Sequence, residues 1–177
     1  MQIRPGSADD LDAIARIHAA SWADAYRGIM EDDFLDGPVV DDRLDAWSGR
    51  LAARPDPSVL LISESGGGVT GFLYAFPDED PDWMLLDNLH VLADQRGLGT
   101  GLTLMHAFGR ELDRLGLRKV RLLVLDGNDG ACRFYDRLGG SRQPIVHKGF
   151  RGLGPFASIP YTWRNFPETM SRLAEPS

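Results

Sequence analysis

Apolar residues in the first third of the chain recur at helical spacing. A short alternating stretch at residues 2–4 predicts a strand, and Ser7 is a suitable N-cap for a helix that follows it. The apolar side of this helix is formed by Leu11, Ile14, Ala15 and His18. A second helix is predicted over residues 41–53, because the segment Pro55-Asp56-Pro57 then breaks the pattern.

The middle of the chain changes to the pattern of strands. Three apolar stretches, at residues 58–64, 69–76 and 83–92, are separated by a triple glycine and by an acidic loop. This arrangement predicts an antiparallel meander. After the glycines at residues 97–101, apolar residues return to helical period as far as Gly116, which is the predicted C-cap.

The last third alternates between strand and helix patterns. Residues 119–125 are typical of a buried strand, residues 129–138 of a short helix, and residues 141–148 and 157–163 of two further strands. Strands that alternate with helices predict a mixed α/β sheet. We expect one domain over residues 1–165 and a frayed tail at 166–177, because no repeat or linker divides the chain.

Charge and cysteine content exclude several classes of function. The formal net charge of −7 opposes binding to nucleic acid and to anionic membranes, and it mildly favours a cationic small molecule or a basic peptide. The sequence shows neither a membrane-spanning apolar run nor the apolar block of a signal peptide. Cys132 has no second cysteine to pair with, and the four histidines are isolated. We therefore expect a cytoplasmic protein without a metal site.

A glycine-rich turn lies between a predicted strand and a predicted helix. Its sequence is Gln95-Arg96-Gly97-Leu98-Gly99-Thr100-Gly101, and alternate glycines let the backbone approach a ligand closely. The first turn of the helix adds unpaired N–H groups, which suit a phosphate. The dinucleotide pattern G-x-G-x-x-G fails at this turn, because Leu102 and Leu104 stand where its last glycine is required, and the sequence contains no Walker pattern. A glycine-rich helix start with a purely structural purpose is the alternative.

The segment R-G-x-G-x-G at residues 96–101 resembles the coenzyme A pyrophosphate loop of the GNAT superfamily of N-acetyltransferases. Residues 86–91 resemble the fourth strand of that family, and its second coenzyme motif is resembled by Asn128, Ala131, Phe134, Tyr135, Leu138 and Gly139. The resemblance implies a central, mostly antiparallel sheet that splays between strands 4 and 5 and is flanked by helices. It also implies an acyltransferase that moves the acetyl group of acetyl-CoA to a primary amine of a small molecule, through a tetrahedral intermediate.

By the same resemblance, acetyl-CoA binds along the fourth strand and the glycine-rich turn. The implied contacts are Leu89, His90, Val91, Arg96, Gly97, Leu98, Gly99, Thr100, Gly101, Asn128, Ala131, Phe134 and Tyr135. The pantetheine arm is expected to pair with the strand backbone at residues 89–91, and the N–H of Val91 to polarise the thioester carbonyl. Asn128 is also expected to cap the helix that it precedes.

Two residues are the candidates for proton transfer. Tyr135 occupies the position of a family tyrosine that protonates the leaving thiolate, a role that suits a phenol with a pKa of about 10, and simple packing on the helix–sheet seam is the alternative. Asp87 is the candidate base, with a salt-bridged carboxylate or a catalytic water as alternatives. Because Asp87 and His90 are three positions apart on a strand, the spacing predicts that they point to opposite faces.

The acceptor is the least determined part of the prediction. The segment from Trp22 to residue 29 resembles the stretch that many members of the family place over the acceptor pocket, which makes Trp22 and Tyr26 the candidate substrate contacts. Two alternatives stay open: a protein or peptide N-acetyltransferase, and a non-catalytic acyl-CoA-binding sensor. Dimers are common in the family, so the resemblance also allows a homodimer.

Overall fold

The computed structural model describes residues 1–25, 27–28, 31–150 and 153–174. The strands are β1 (Gln2–Pro5), β2 (Val59–Ser65), β3 (Gly68–Pro77), β4 (Trp83–Val91), β5 (Lys119–Leu125), β6 (Ser141–Arg142), β7 (Val146–Phe150) and β8 (Leu153–Trp163). The helices are α1 (Leu11–Ala25), α2 (Asp32–Asp36), α3 (Val39–Ala52), α4 (Thr100–Arg114), α5 (Asp129–Arg137) and α6 (Phe166–Ala174).

The strands form one mixed sheet in the order β1-β2-β3-β4-β5-β8-β6, and β7 pairs with β8. β4 and β5 run parallel, whereas the other described pairs are antiparallel. This confirms the predicted mixed α/β class, including the meander from β2 to β4. Within the described part of the chain, no helix combines the length and the apolar character needed to cross a membrane.

Helices cover both faces of the sheet. Along β3, Leu73 and Ala75 face the cluster that contains α4 and α6, whereas Phe72 and Tyr74 face the cluster that contains α1 and α3. This alternation follows from the two-residue period of a strand. The sheet is therefore apolar on both sides over β2 and β3, and it places α1 and α4 on opposite faces of β4.

The structure differs from the sequence-based prediction at three elements. α2 was not predicted because five residues are too few to show a helical period. The strand predicted at residues 141–148 is divided into β6 and β7, because Pro144 cannot donate a hydrogen bond to the ladder. The predicted frayed tail is wrong as far as Ala174, since this segment is the helix α6, with Phe166 and Met170 buried against α4.

A group of hydrogen bonds fixes the chain between β1 and α1. The guanidinium of Arg4 donates to both oxygens of Asp10, at 2.9 and 2.6 Å, and the Ser7 amide donates to the same carboxylate at 2.9 Å. The hydrogen bonds from Arg4 hold the pKa of the buried Asp10 carboxyl below its ordinary value, although burial acts in the opposite direction. Asp10 is therefore a stabilising carboxylate.

We expect Asp10→Asn to lower the free energy of unfolding by about 1–3 kcal/mol at pH 7, because Arg4 and Ser7 lose a charged acceptor. A carboxyl group whose pKa is depressed by folding stabilises the protein above its unfolded pKa of about 4, and this contribution is lost as the pH falls through the folded pKa. The difference between wild type and variant should therefore shrink below about pH 4. Urea unfolding at neutral and acid pH measures this difference in the free energy of unfolding.

The exposed neighbour Asp9 offers a matched control. Asp9→Asn should change the free energy of unfolding by less than about 0.5 kcal/mol, as most surface substitutions do. A loss in Asp10→Asn that stays the same at both pH values would rule out the ionised carboxylate as its source.

Candidate active site

β4 and β5 diverge after a short parallel pairing. Their ladder joins Trp83 to Leu85 of β4 with Lys119 to Arg121 of β5, and the two strands then continue without pairing. β4 also contains a bulge, because Asn88 pairs with Tyr74 and Leu86 with Ala75, which leaves Asp87 as the extra residue. The second half of β4 therefore borders an open cleft in the sheet.

The backbone of β4 points into this cleft at alternate residues. The Leu92 amide donates to the Thr70 carbonyl at 2.9 Å, so the backbone groups of residue 92 face β3. In an antiparallel pair these groups alternate in direction, so His90 also faces β3 and Leu89 and Val91 face the cleft. The expectation that pantetheine pairs with all of residues 89–91 is thus corrected at His90, whose backbone is directed to β3.

The glycine-rich turn closes one end of the cleft. Gly97 and Gly99 have φ angles of 76° and 86°, in the left-handed region that favours glycine, and Gly99 is the N-cap of α4. The Thr103 amide donates to the Gly99 carbonyl at 2.9 Å, which is the first bond of the helical ladder. The amides before it, at residues 100–102, have no intrahelical acceptor and lie at the positive end of the helix dipole.

The cleft between the splayed strands has a volume of about 730 Å³. This lies within the range of about 300–1,000 Å³ that small-molecule sites usually occupy. Twelve of the thirteen predicted coenzyme contacts line it: Leu89, His90, Val91, Arg96, Gly97, Gly99, Thr100, Gly101, Asn128, Ala131, Phe134 and Tyr135. The exception is Leu98, whose side chain is 68% exposed and lies outside the wall.

Arg96 connects the turn to two neighbouring elements. Its guanidinium forms an ion pair with Asp24 of α1 and donates to the Val91 carbonyl at 3.3 Å. One of the two outward-facing backbone groups of Val91 is thus occupied, and its N–H remains directed to the cleft. The side chain of Arg96 thus links the turn to α1 and to the end of β4.

α5 forms the wall opposite β4. Asn128 caps this helix, because its Oδ1 accepts a hydrogen bond from the Ala131 amide at 3.1 Å, as predicted. Tyr135 follows on the same helix, is 9% exposed, and lines the cleft. Its ring also packs against Tyr161 and Trp163, with centroids 5.7 and 6.1 Å away. Tyr135 is thus both a packed aromatic residue and a cleft residue.

A second, smaller cavity of about 190 Å³ lies on the α1 side of the splayed strands. Trp22 lines this cavity. The rings of Trp22 and His18 make an edge contact with their centroids 4.9 Å apart, and the Arg43 guanidinium lies 4.0 Å from the centroid of the Trp22 ring. Tyr26, the other predicted substrate contact, lies outside the described residues. The two cavities share part of their walls, formed by Leu86, Asp87, His90, Leu123 and Leu125.

The prediction that Asp87 and His90 point to opposite faces is wrong. Asp87 forms an ion pair with Arg50 of α3, and His90 stacks on His18 of α1, so both side chains lie on the α1 and α3 side. The bulge in β4 is the physical cause, because one extra residue reverses the alternation between positions 87 and 90. Both side chains therefore line the small cavity.

The carboxylate of Asp87 is held through one oxygen. Its Oδ2 accepts hydrogen bonds from Arg50 Nη1 and from Asn88 Nδ2, both at 2.6 Å. Among the described residues, Oδ1 has no hydrogen-bond partner. The side chain is 27% exposed, so this oxygen is available to a ligand in the cavity.

The two stacked histidines are uncharged. Removal from water and the charges of Arg96, Arg43 and Arg50 lower the pKa of His90 to about 3. The Trp47 indole N–H donates to Nδ1 of His18 at 2.9 Å, so that nitrogen carries no proton. The ring centroids of His18 and His90 are 4.3 Å apart, a separation that two neutral imidazoles tolerate well. The residues that the structure describes hold no group of three or more metal-binding side chains.

Sequence reasoning missed several residues of the small cavity. His18 carried a signal, since it continues the apolar stripe of α1 and a histidine there needs a polar partner. Arg50 and Lys148 carried none, because Arg50 meets Asp87 across 37 positions and Lys148 lies on β7. Long-range contacts of this kind follow from the fold rather than from a local pattern.

A splayed parallel pair, with a glycine-rich helix start at its open end, defines the class of acyl-CoA-dependent N-acyltransferases that the sequence resembles. The model of the acetyltransferase (GNAT) family matches residues 15–140, and the chain belongs to this family. The protein is therefore an acyltransferase. Among curated protein sequences, none matches this chain.

Solved structures share the fold at low sequence identity. PaiA N-acetyltransferase from Thermoplasma acidophilum, in complex with coenzyme A, is 17% identical with a TM-score of 0.69, over 89% of this chain and 96% of that one. A ribosomal-protein-alanine N-acetyltransferase from Brucella melitensis is 17% identical with a TM-score of 0.69, over 93% and 99%. A chimera of spermidine N-acetyltransferase SpeG from Vibrio cholerae and hSSAT is 14% identical with a TM-score of 0.67, over 97% and 100%.

Proposed function

We propose that this protein transfers the acetyl group of acetyl-CoA to the primary amine of a small molecule. The observation that carries the proposal is the wall that the two cavities share at Asp87 and His90, where a large cleft with free helix amides at one end adjoins a small cavity that has charged side chains in its lining. A donor in the first and an acceptor in the second would place the reacting atoms at this junction. The structural relative in complex with coenzyme A supports the donor, whereas the relatives include both a spermidine and a ribosomal-protein-alanine N-acetyltransferase.

The residues of the cleft fit acetyl-CoA, which supplies an activated acetyl thioester. The free amides at residues 100–102, together with those of the glycine turn, suit a diphosphate. The outward-facing groups of Leu89 would pair with the amide-bearing pantetheine arm as a neighbouring strand would. The Val91 N–H would donate to the thioester oxygen, and this donation strengthens as negative charge develops there.

Two side chains would move the protons. Asp87 lines the small cavity, where its Oδ1 would accept a proton from the ammonium of the acceptor, directly or through a water molecule. The neutral amine would then add to the acetyl carbon to form the tetrahedral intermediate, which would collapse by breaking the carbon–sulfur bond while the nitrogen releases its second proton to solvent. The Tyr135 hydroxyl would donate a proton to the departing thiolate, since this residue lines the donor cleft.

The direct test is acetyl transfer from isotopically labelled acetyl-CoA to a panel of small amines and basic peptides. We expect release of free coenzyme A thiol together with a labelled amide on at least one small amine. Transfer to peptides without transfer to any small amine would favour a protein N-acetyltransferase. Binding of acetyl-CoA without thiol release on either panel would contradict catalysis and favour a sensor module.

A further inference from the structure

The small cavity is richer in basic than in acidic side chains, although the chain as a whole carries a formal charge of −7. Its charged lining consists of Arg50, Lys148 and Asp87, since the two histidines are neutral. An excess of acidic groups in the lining would favour a purely cationic amine. These charges instead suit a ligand with one positive and one negative group.

Arg50 is held in place, and most of its N–H donors form no hydrogen bond with the described residues. Its Nη1 donates to Asp87 Oδ2 at 2.6 Å, and its Cζ atom lies 5.2 Å from the centroid of the Trp47 ring, which orients the guanidinium. An arginine has five N–H donors, and within the described residues the other four have no acceptor. A planar group with free donors is the usual partner of a carboxylate.

Lys148 supplies a second positive charge from another element. It lies on β7, where it pairs with Phe156 of β8, and both residues line the cavity. Among the described residues, no carboxylate forms an ion pair with Lys148. Asp87 lines the same cavity, and its Oδ1, which has no hydrogen-bond partner among the described residues, suits an ammonium. The walls thus offer one site for a cation and two basic groups for an anion.

The size of the cavity suits a small ligand. About 190 Å³ is less than the roughly 300 Å³ at which ordinary small-molecule pockets begin. A polyamine or a large aromatic amine would extend beyond it, whereas an amino acid with a short or medium side chain fits. The amine would lie at the junction with the donor cleft, since Asp87 belongs to both walls.

We propose that the acceptor is a small free amino acid, with its ammonium at Asp87 and its carboxylate bound by Arg50 and Lys148. This proposal rests on the proposed acetyl transfer and narrows its substrate class. The reaction converts the amino acid and acetyl-CoA to an N-acetyl amino acid and coenzyme A. The amine gains the acetyl carbon and loses a proton, the carbon–sulfur bond breaks, and the thiolate takes up a proton.

The test compares acceptors that differ in the carboxylate. Alanine, leucine and methionine are each assayed beside their amides, which keep the amine and the side chain and also imitate a peptide N-terminus. For at least one of the three, we expect the kcat/KM of the free acid to exceed that of the amide by about tenfold or more, as one charge-assisted contact implies. Spermidine, which has no carboxylate, should be a poorer acceptor still.

A substitution at Lys148 tests whether the preference for the free acid over the amide arises in the small cavity. Lys148→Gln should raise the KM of the preferred amino acid about tenfold and leave the KM of its amide nearly unchanged. Lys119→Gln is the matched control, because Lys119 pairs with Asp82 at the closed end of β4 and β5, away from both cavities. In this control both KM values should stay near those of the wild type.

The outcomes separate this inference from the function on which it rests. Equal kcat/KM values for acids and amides, or a preference for spermidine, would overturn the amino-acid proposal and leave acetyl transfer standing. A fall in the activity of Lys148→Gln that is the same for acid and amide would also overturn it. Absence of thiol release with every amine would instead overturn the proposed function.

Discussion

Gly101→Asp should weaken acetyl-CoA binding by about 100-fold or more while the protein stays folded. Gly101 is the second residue of α4 and lines the donor cleft beside the free amides of the helix. A carboxylate there would face the coenzyme phosphates in a partly enclosed site, and such like-charge contacts cost several kcal/mol. The same carboxylate in the first turn of a helix stabilises the fold by about 0.3–1 kcal/mol. Calorimetric titration with acetyl-CoA and urea unfolding measure the two effects.

Two further substitutions at this position separate charge from volume. A Cβ atom at residue 101 would lie 3.5 Å from Phe134 Cζ, which is an ordinary contact, so Gly101→Ala should bind acetyl-CoA within about tenfold of wild type. Gly101→Asn matches the size of aspartate without its charge and should bind more tightly than Gly101→Asp. Wild-type affinity in a folded Gly101→Asp variant would mean that the phosphates lie elsewhere.

Tyr135→Phe should lower kcat by about 100-fold, with little change in the KM of either substrate. Loss of a general acid usually costs about 100- to 10,000-fold, and the phenylalanine ring keeps the packing against Tyr161 and Trp163. Steady-state kinetics with both substrates measure kcat and the two KM values.

Tyr161→Phe is the matched control for the loss of a hydroxyl group. The Tyr161 hydroxyl lies 3.2 Å from the Cys132 carbonyl and 3.0 Å from Asp136 Oδ1, and the residue does not belong to the wall of either cavity. Its removal should lower the free energy of unfolding by about 1 kcal/mol and leave kcat nearly unchanged. Equal effects of the two variants on kcat would show that Tyr135 has a structural role alone.

The features that were predicted correctly from the sequence are those that depend on residues close together along the chain. The glycine turn, the Asn128 cap and the meander from β2 to β4 are local patterns, and the structure confirms them. The coenzyme contacts were predicted through the family resemblance; twelve of the thirteen line one cleft, and their contact with the coenzyme stays a prediction. The family match over residues 15–140 covers both coenzyme motifs.

The acceptor side was not predictable for a physical reason. The bulge at Asp87 changes which face His90 occupies, yet a bulge leaves no clear mark in a single strand sequence. The charges around Asp87 come from α3 and β7, which only the tertiary fold brings together. The tail was predicted wrongly although Phe166 and Met170 have the four-residue spacing of a buried helical face, because the packing of that face against α4 is a tertiary contact.

A crystal structure of the protein with acetyl-CoA tests the central claim most directly. We predict the diphosphate at the amides of residues 97–101, the pantetheine arm along β4, and the thioester oxygen within hydrogen-bond distance of the Val91 N–H. The acetyl group should then face the small cavity beside Asp87 and His90. Acetyl-CoA bound outside this cleft, or with its acetyl group directed away from the junction of the two cavities, would contradict the proposed transfer.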